Sequence, residues 1–242
     1  MKLKQYKSSD GTWYTLAQGS GGGTGGSTTG DYIPEDGWTA IDETLTYASA
    51  TSFTVATDLT ARFQKGTKLK LTQTTDKYFY VTASSYGAPN TTVTITGGTD
   101  YTLASAAITT PFYSYIDNPA GFPDWFNYTP TLAAGGSMTI SLPVIDVGAF
   151  SIKGRTVYVF VRANFTLGGT PHFTVTATLP IECGWLHGNG NAAVLDGSIS
   201  ESGYSVITVG TPDVLSIRRT SGSNYTTGAG KAISVTVFYL MQ

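Results

Sequence analysis

The strongest constraint on the fold is a succession of short alternating runs within residues 51–108. In each run apolar residues alternate with threonine, serine or lysine, as at Phe53 and Val55. A period of two places one face of a strand on a core and the other face in water. Glycine-containing turns such as Gly97-Gly98 separate the runs and supply the backbone angles that reverse a strand. The stretch therefore predicts a compact antiparallel β module.

Alternation returns in the C-terminal part of the chain, from about Gly135 onward. Residues 157–161 are apolar on both faces, which predicts a central strand that is covered on both sides. Later strands are predicted at 204–209, 214–218 and 233–239. Strands at this spacing, with glycine and proline turns and no helical period, predict a jelly-roll-like β-sandwich.

These patterns predict an all-β protein of five segments. They are an N-terminal anchoring arm (1–17), a Gly-rich linker (18–37), a small antiparallel β domain (38–110), an aromatic and proline-rich connector (111–134) and a jelly-roll-like β-sandwich (135–242). The linker contains QGSGGGTGGSTTG, a composition that is typical of a flexible chain. The arm has too few apolar residues to form a core, so we expect them to dock on another protein. These candidate anchor residues are Leu3, Tyr6, Trp13, Tyr14 and Leu16.

The connector combines four prolines with an unusual density of aromatic residues. The aromatic residues are Phe112, Tyr113, Tyr115, Phe122, Trp125, Phe126 and Tyr128. Proline cannot donate a ladder hydrogen bond, so we expect the connector to stay out of any sheet interior. Exposing so many rings to water is costly, which predicts that they pack between domains or between chains. The alternative is an exposed aromatic platform that stacks on sugar rings.

Composition and charge exclude several classes of partner. Charged residues make up 12% of the chain, against about 25% in a typical soluble domain. The net charge of −2 argues against a nucleic-acid partner, which requires a basic surface. The N-terminus lacks the apolar region of a signal peptide, and the chain has no run of about 18 apolar residues. We therefore expect no membrane insertion.

The sequence offers little that could carry catalysis or hold a metal. His172 and His187 are the only histidines, and Cys183 is the only cysteine, so zinc ligands at close spacing and an intrachain disulfide are both lacking. The usual hydrolase and phosphate-binding motifs are also lacking, and we predict no cofactor and no enzymatic activity. A glycosidase needs two facing carboxylates. The candidates Glu182, Asp196, Glu201 and Asp213 are predicted to be solvated loop carboxylates.

A glycine-rich loop at 183–191 is the most informative segment outside the strands. It contains one tryptophan, one histidine and two asparagines, a mixture that suits sugars because rings stack on them and amides bond their hydroxyls. The candidate glycan-binding residues are Trp185, His187, Asn189 and Asn191, together with Asn224 and Tyr225. The alternative is an ordinary connection whose tryptophan covers the core.

Several segments resemble one known group of proteins. The succession GTKLKLTQ, KYFYVTASSY and TTVTITGGTDYTLASAAI, followed by Gly-Phe-Pro-Asp-Trp-Phe at 121–126, resembles a small β domain of tailed-bacteriophage fibre and other virion structural proteins. The resemblance covers residues 38–130 and, more loosely, the C-terminal half. It implies a non-enzymatic role in a phage particle that assembles in the host cytoplasm and leaves by lysis.

The resulting interpretation is a short fibre or receptor-binding component of the virion. It attaches to other virion proteins by its N-terminus and displays β domains that adsorb to host-surface polysaccharide. Low charge, aromatic segments and exposed strand edges predict a homotrimer, because closed symmetry covers such surfaces. The alternatives are a capsid-bound decoration or head fibre, a carbohydrate-binding module of a secreted enzyme and, least favoured, a small glycan-cleaving enzyme.

Overall fold

The computed structural model describes residues 4–7, 13–16, 35–184, 189–207 and 213–242. Over these residues the protein is all-β, as the alternation predicts, and it contains no helix. The chain divides into two compact units, Met1–Tyr32 and Ile33–Gln242.

The N-terminal unit contains a β-hairpin that the sequence did not predict. Strand β1 (Lys4–Lys7) pairs antiparallel with β2 (Trp13–Leu16), and Tyr6 lies opposite Tyr14 in the register. Four of the five candidate anchor residues therefore belong to one hairpin. The fifth, Leu3, and residues 18–34 of the predicted linker lie outside the described residues.

In the described part of the chain, the first sheet of the larger unit has seven strands, all paired antiparallel. They are β3 (Thr39–Ala40), β4 (Leu45–Ser49), β5 (Ser52–Ala56), β6 (Lys68–Thr72), β7 (Asp76–Gly87), β8 (Asn90–Thr96) and β9 (Thr109–Ser114). Their order in the sheet is β3-β9-β6-β7-β8-β5-β4. Phe53 and Val55 are both buried, as their alternation predicts, and they pack with Phe63, Phe79 and Val93. The predicted antiparallel module is confirmed.

Strand β9 differs from the expectation for the proline-rich connector. It contains Pro111 and yet lies between β3 and β6. The pairing of β9 with β6 shifts register between Lys70 and Thr72, and this irregularity accommodates a residue that has no N–H. The Pro111 carbonyl accepts a hydrogen bond from the Ile41 N–H at 2.9 Å. The first sheet thus extends to Ser114, beyond the predicted boundary at 110.

Over the residues that the structure describes, the second sheet has nine strands. They are β10 (Phe126–Asn127), β11 (Leu132–Ala134), β12 (Met138–Lys153), β13 (Thr156–Gly169), β14 (Thr174–Thr178), β15 (Asn189–Asp196), β16 (Ile199–Ile207), β17 (Val214–Arg219) and β18 (Gly228–Leu240). Their order is β10-β12-β13-β18-β15-β16-β17-β14-β11. β15 pairs with β16, β14 with β17 and β13 with β18, which is the nested pairing of a jelly roll. The predicted all-β, sandwich-like character is confirmed.

The central strand β13 is covered on one face only. Val157, Val159 and Val161 are fully buried, but Tyr158 on the other face is 37% exposed. The expectation of a strand covered on both sides was wrong, because no described residue forms a layer over this outer face. The outer face of the second sheet is therefore a candidate binding surface.

Aromatic rings join the two sheets. The Phe126 ring lies 5.2 Å from that of Tyr80 in the first sheet and 5.8 Å from that of Phe150 in the second. Phe122 packs on Tyr80 from the connector at 5.0 Å. The Asp100 carboxylate accepts hydrogen bonds from the backbone and side-chain nitrogens of Asn127 at 2.7 and 2.9 Å. Phe122 and Phe126 therefore pack between the two sheets of the larger unit.

Candidate functional site

A cleft of about 370 Å³ opens between the two sheets, beside the connector. Its lining comes from three parts of the chain. They are Tyr80 on β7, residues Asp117, Asn118, Phe122, Pro123, Asp124 and Trp125 of the connector, and Ser151, Ile152, Lys153 and Tyr158 on β12 and β13. Clefts of this size are the usual places where proteins bind small ligands.

Trp38 holds the connector in place above the cleft. Its side chain is 3% exposed, and its indole Nε1 donates a hydrogen bond to the Ala120 carbonyl at 2.8 Å. The Ala120 N–H donates in turn to the Asp36 carbonyl at 2.8 Å, and the Trp38 ring packs 6.0 Å from Phe122. The turn that carries the polar residues Asp117 and Asp124 is therefore fixed by a buried side chain.

A buried lysine contacts two of the aromatic rings that line the cleft. Lys68 is 3% exposed, and its Nζ lies 5.7 Å from the ring centroid of Tyr80 and 5.8 Å from that of Phe122. Burial lowers the pKa of Lys68 because the ammonium loses water, although the charge of Asp117 acts in the opposite direction. Burial also raises the pKa of the Tyr80 hydroxyl. The aromatic floor of the cleft thus carries one desolvated positive charge, which cation–π contacts partly compensate.

The rim of the cleft presents two aromatic rings to solvent. Trp125 is 48% exposed and Tyr158 is 37% exposed. The carboxylates of Asp117 and Asp124 and the ammonium of Lys153 are exposed around them. Rings of this kind can stack on the C–H faces of a sugar, while the polar groups hydrogen-bond its hydroxyls. The connector alternative from the sequence, an exposed aromatic platform, fits Trp125.

The structure places the predicted glycan-binding residues in different parts of the second sheet and its connections, and two of them lie outside the described residues. Trp185 and His187 lie outside the described residues, and Asn189 begins β15. Asn191 is exposed on β15, and Asn224 is exposed in the connection between β17 and β18, where its Nδ2 donates to the Pro171 carbonyl at 3.4 Å.

The prediction for Tyr225 was wrong. Its side chain is fully buried in the core of the second sheet, and its hydroxyl donates to the Ile217 carbonyl at 3.4 Å. Burial also raises the pKa of this hydroxyl well above its usual range. A ring without an accessible face cannot stack on a ligand, so Tyr225 is a core residue.

Two of the predicted solvated carboxylates belong to a buried ion network instead. The Asp196 carboxylate contacts Arg219 Nη1 at 2.8 Å and Lys231 Nζ at 2.6 Å, and it accepts a hydrogen bond from the Thr226 N–H at 3.0 Å. Glu201 pairs with Arg219 Nε. Burial alone would raise the pKa of Asp196, but hydrogen bonds from Lys231 and Thr226 outweigh it and hold that pKa below its usual value. These groups neutralise one another, and Asp196, Arg219 and Lys231 are buried inside the fold, where a substrate cannot reach them.

The structure also describes the surroundings of His172 and Cys183, two further residues considered from the sequence for catalysis or metal binding. The His172 ring stacks on Phe173 at 4.3 Å, and its Nδ1 accepts a hydrogen bond from the Thr174 N–H at 3.2 Å. Cys183 is buried. Within the described ranges no group of three or more histidine, cysteine, aspartate or glutamate side chains is placed to hold a metal ion. The same ranges contain no helix of the length and apolar character that crossing a membrane requires.

Comparison with known proteins identifies no relative. No protein-family model, no curated protein and no solved structure matches the chain. The resemblance to phage fibre proteins therefore stays a prediction, and any functional conclusion must come from the cleft and the surfaces around it.

Proposed function

We propose that this protein is a structural component of a bacteriophage particle that binds a host-surface glycan in the cleft between its two sheets. One observation carries the binding proposal: Trp125 and Tyr158 expose their rings beside the carboxylates of Asp117 and Asp124 at the mouth of a fixed cleft. Stacking faces next to hydrogen-bonding groups match a saccharide, which has apolar C–H faces and many hydroxyls.

The organisation of the chain supports the role in a particle. The N-terminal hairpin belongs to a compact unit of its own, so it can attach to another virion protein while the larger unit is displayed. Low charge and an all-β fold are typical of particle proteins, and the resemblance of residues 38–130 to phage fibre domains points the same way. The anchor is then the hairpin with Tyr6, Trp13, Tyr14 and Leu16.

The binding proposal predicts that Trp125→Ala weakens glycan binding. The purified chain is applied to an array of bacterial surface polysaccharides, and the Kd for the best ligand is measured for each variant. Loss of a stacking ring is expected to weaken binding about tenfold, which corresponds to about 1.4 kcal/mol. Tyr86→Ala is the matched control, because Tyr86 is 46% exposed but lies on β7 away from the cleft lining.

The outcomes of this experiment separate the candidate functions. Absence of binding by the wild-type chain to every polysaccharide contradicts the proposal, and equal losses for both variants place the site elsewhere. A second candidate function is glycan cleavage, since two carboxylates, Asp117 and Asp124, line one cleft. If the wild-type chain releases reducing ends from the polysaccharide and Asp117→Asn does not, the protein is an enzyme. Location of the protein on whole particles distinguishes a tail fibre from a capsid decoration.

We also predict that the chain is a homotrimer. Exposed apolar side chains away from the cleft need a cover, above all Leu142 (79% exposed) and Val144 (58%) on β12, and Ile199 (51%) at the start of β16. Identical copies can provide it through closed symmetry, which also raises avidity for a repeated surface glycan. Mass photometry should then give three times the chain mass of 25.5 kDa. A stable monomer at micromolar concentration contradicts this prediction.

A further inference from the structure

The outer face of the second sheet carries one row of side chains that runs across five neighbouring strands. In register order the row consists of Ala149, Phe160, Thr236, Asn191 and Tyr204, on β12, β13, β18, β15 and β16. Their strand neighbours Phe150, Val159 and Val237 are buried, so the row faces solvent. Adjacent strands lie about 4.8 Å apart, and the part from β13 to β16 therefore spans about 14 Å.

Two shallow depressions follow this row and connect with the cleft. The first, of about 360 Å³, is lined by Trp125, Ala149, Phe160 and Thr236. The second, of about 610 Å³, is lined by Asn191, Tyr204, Thr236, Phe238 and their neighbours on β15 and β16. Trp125 belongs to both the cleft and the first depression, and Thr236 belongs to both depressions. The cleft therefore continues into an open track along the sheet.

A contact between two aromatic rings also connects the cleft with the second depression. Tyr158 lines the cleft, and its ring centroid lies 6.2 Å from that of Phe238, its register partner on β18. Phe238 is 60% exposed and borders the second depression. Aromatic surface is thus continuous from Tyr158 to the region of Tyr204.

The chemical character of the residues along this track indicates which class of ligand it can bind. Among the residues that the structure describes, none that lines the two depressions carries a formal charge. Aromatic surface from Phe160, Phe238 and Tyr204 alternates with the hydroxyl of Thr236 and the amide of Asn191. The next member of the row after Tyr204 is Arg218, whose guanidinium lies 5.0 Å from the Phe173 ring centroid. An uncharged surface of rings, hydroxyls and amides complements an uncharged, hydroxyl-rich chain and would desolvate an ionic one at a cost.

We propose that the track from Trp125 to Tyr204 extends the cleft into a series of subsites for an extended, uncharged polysaccharide. The inference rests on the proposed function, since it takes the cleft as the first subsite. It goes beyond it by assigning a polymer rather than a terminal sugar as the ligand, and by assigning Phe160, Thr236, Asn191, Tyr204 and Phe238 to its recognition.

The test measures affinity as a function of ligand length. The array polysaccharide that binds best is hydrolysed to a ladder of fragments, and the Kd of each fragment is measured by calorimetry with the full chain. We expect affinity to increase with each added sugar until the fragment covers the track, and to be insensitive to added salt because no ion pair forms. Tyr204→Ala should weaken the longest fragments about fivefold to tenfold and leave the shortest unchanged. Tyr86→Ala should change neither.

Each outcome bears on one proposal. If no fragment and no polysaccharide binds, the proposed function fails together with the track. If short fragments bind as tightly as long ones, or if Tyr204→Ala weakens both equally, the cleft remains a glycan site and the track is overturned. Acidic fragments that bind more tightly than neutral ones also overturn it. A mass that falls from trimer to monomer in Tyr204→Ala shows that a second copy covers this face instead.

Discussion

Replacing Asp196 with alanine is expected to reduce the free energy of unfolding by about 3–5 kcal/mol, because it leaves two buried cations without their shared partner. The Asp196 side chain is fully buried, and those of Lys231 and Arg219 are 2% and 8% exposed. Arg219 Nη1 also donates to the Asn224 carbonyl at 2.8 Å, so the network fastens the connection between β17 and β18. Urea unfolding followed by tryptophan fluorescence gives the change at constant slope.

Asp146→Ala is the matched control for this substitution. Asp146 is an aspartate of the same sheet and pairs with Arg162, but Arg162 is 63% exposed. Exposed pairs contribute less than about 1 kcal/mol, so this variant should unfold close to the wild type. Equal losses for Asp146→Ala and Asp196→Ala would show that burial of the network contributes nothing. Asp196→Asn, which keeps the shape of the side chain, should give an intermediate loss and remains measurable if the alanine variant does not fold.

The same network makes stability depend on acid pH. The pKa of Asp196 is lower in the folded state than in the unfolded chain. Its contribution is therefore fully present above the unfolded pKa of about 4, and it is lost as pH falls through the lower folded value. The difference between wild type and Asp196→Ala should be constant near neutral pH and should shrink below about pH 4. A difference that stays constant through this range contradicts the ionised state of the carboxylate.

The strands could be predicted from the sequence because their core-facing residues obey a period of two. The charged residues of the buried network follow the same alternation. Asp196 follows Ala192 and Val194 in alternation, Lys231 precedes Ile233, and Arg219 follows Ile217, so all three charged residues take core-facing positions. The sequence predicts a solvated loop position for Asp196 because the residue is charged. In the structure its position along the strand, in register with buried residues, places it in the core. A charged residue at a core-facing parity is the signal that could have revealed the network.

The outer face of β13 shows where alternation cannot decide. Tyr158 and Phe160 are apolar, and a strand that is apolar on both faces suits either a buried position or a binding face. The two cases differ only in what lies over the face, and that depends on strands remote in sequence. Likewise, the connector showed aromatic and carboxylate residues around Trp125. It could not show that the end of β12, with Ser151 and Lys153, completes the cleft.

A substitution at a glycine that packs between the sheets is also expected to reduce stability strongly. Gly66, in the turn before β6, has φ +85°, and a Cβ placed on it would lie 1.7 Å from the Gly154 carbonyl oxygen in the β12–β13 turn. The Gly66 N–H also donates to the Val81 carbonyl at 2.8 Å, so the turn cannot move away without loss of that bond. Gly66→Ala should therefore reduce the free energy of unfolding by about 2–5 kcal/mol, the sum of a left-handed backbone and overpacking.

Gly222→Ala separates these two causes. Gly222 has φ +70°, but a Cβ there would meet no atom of a described residue within 4 Å, so only the backbone cost of about 1–2 kcal/mol remains. The excess loss in Gly66→Ala over Gly222→Ala measures the close contact between the sheets. Because the cleft lies between the same sheets, a shift at Gly66 should also weaken glycan binding, whereas Gly222→Ala should leave the Kd unchanged. Equal stability losses for the two variants would contradict direct packing of the Gly66 turn on the Gly154 turn. In that case the aromatic cluster around Phe126 would remain the contact that sets the geometry of the cleft.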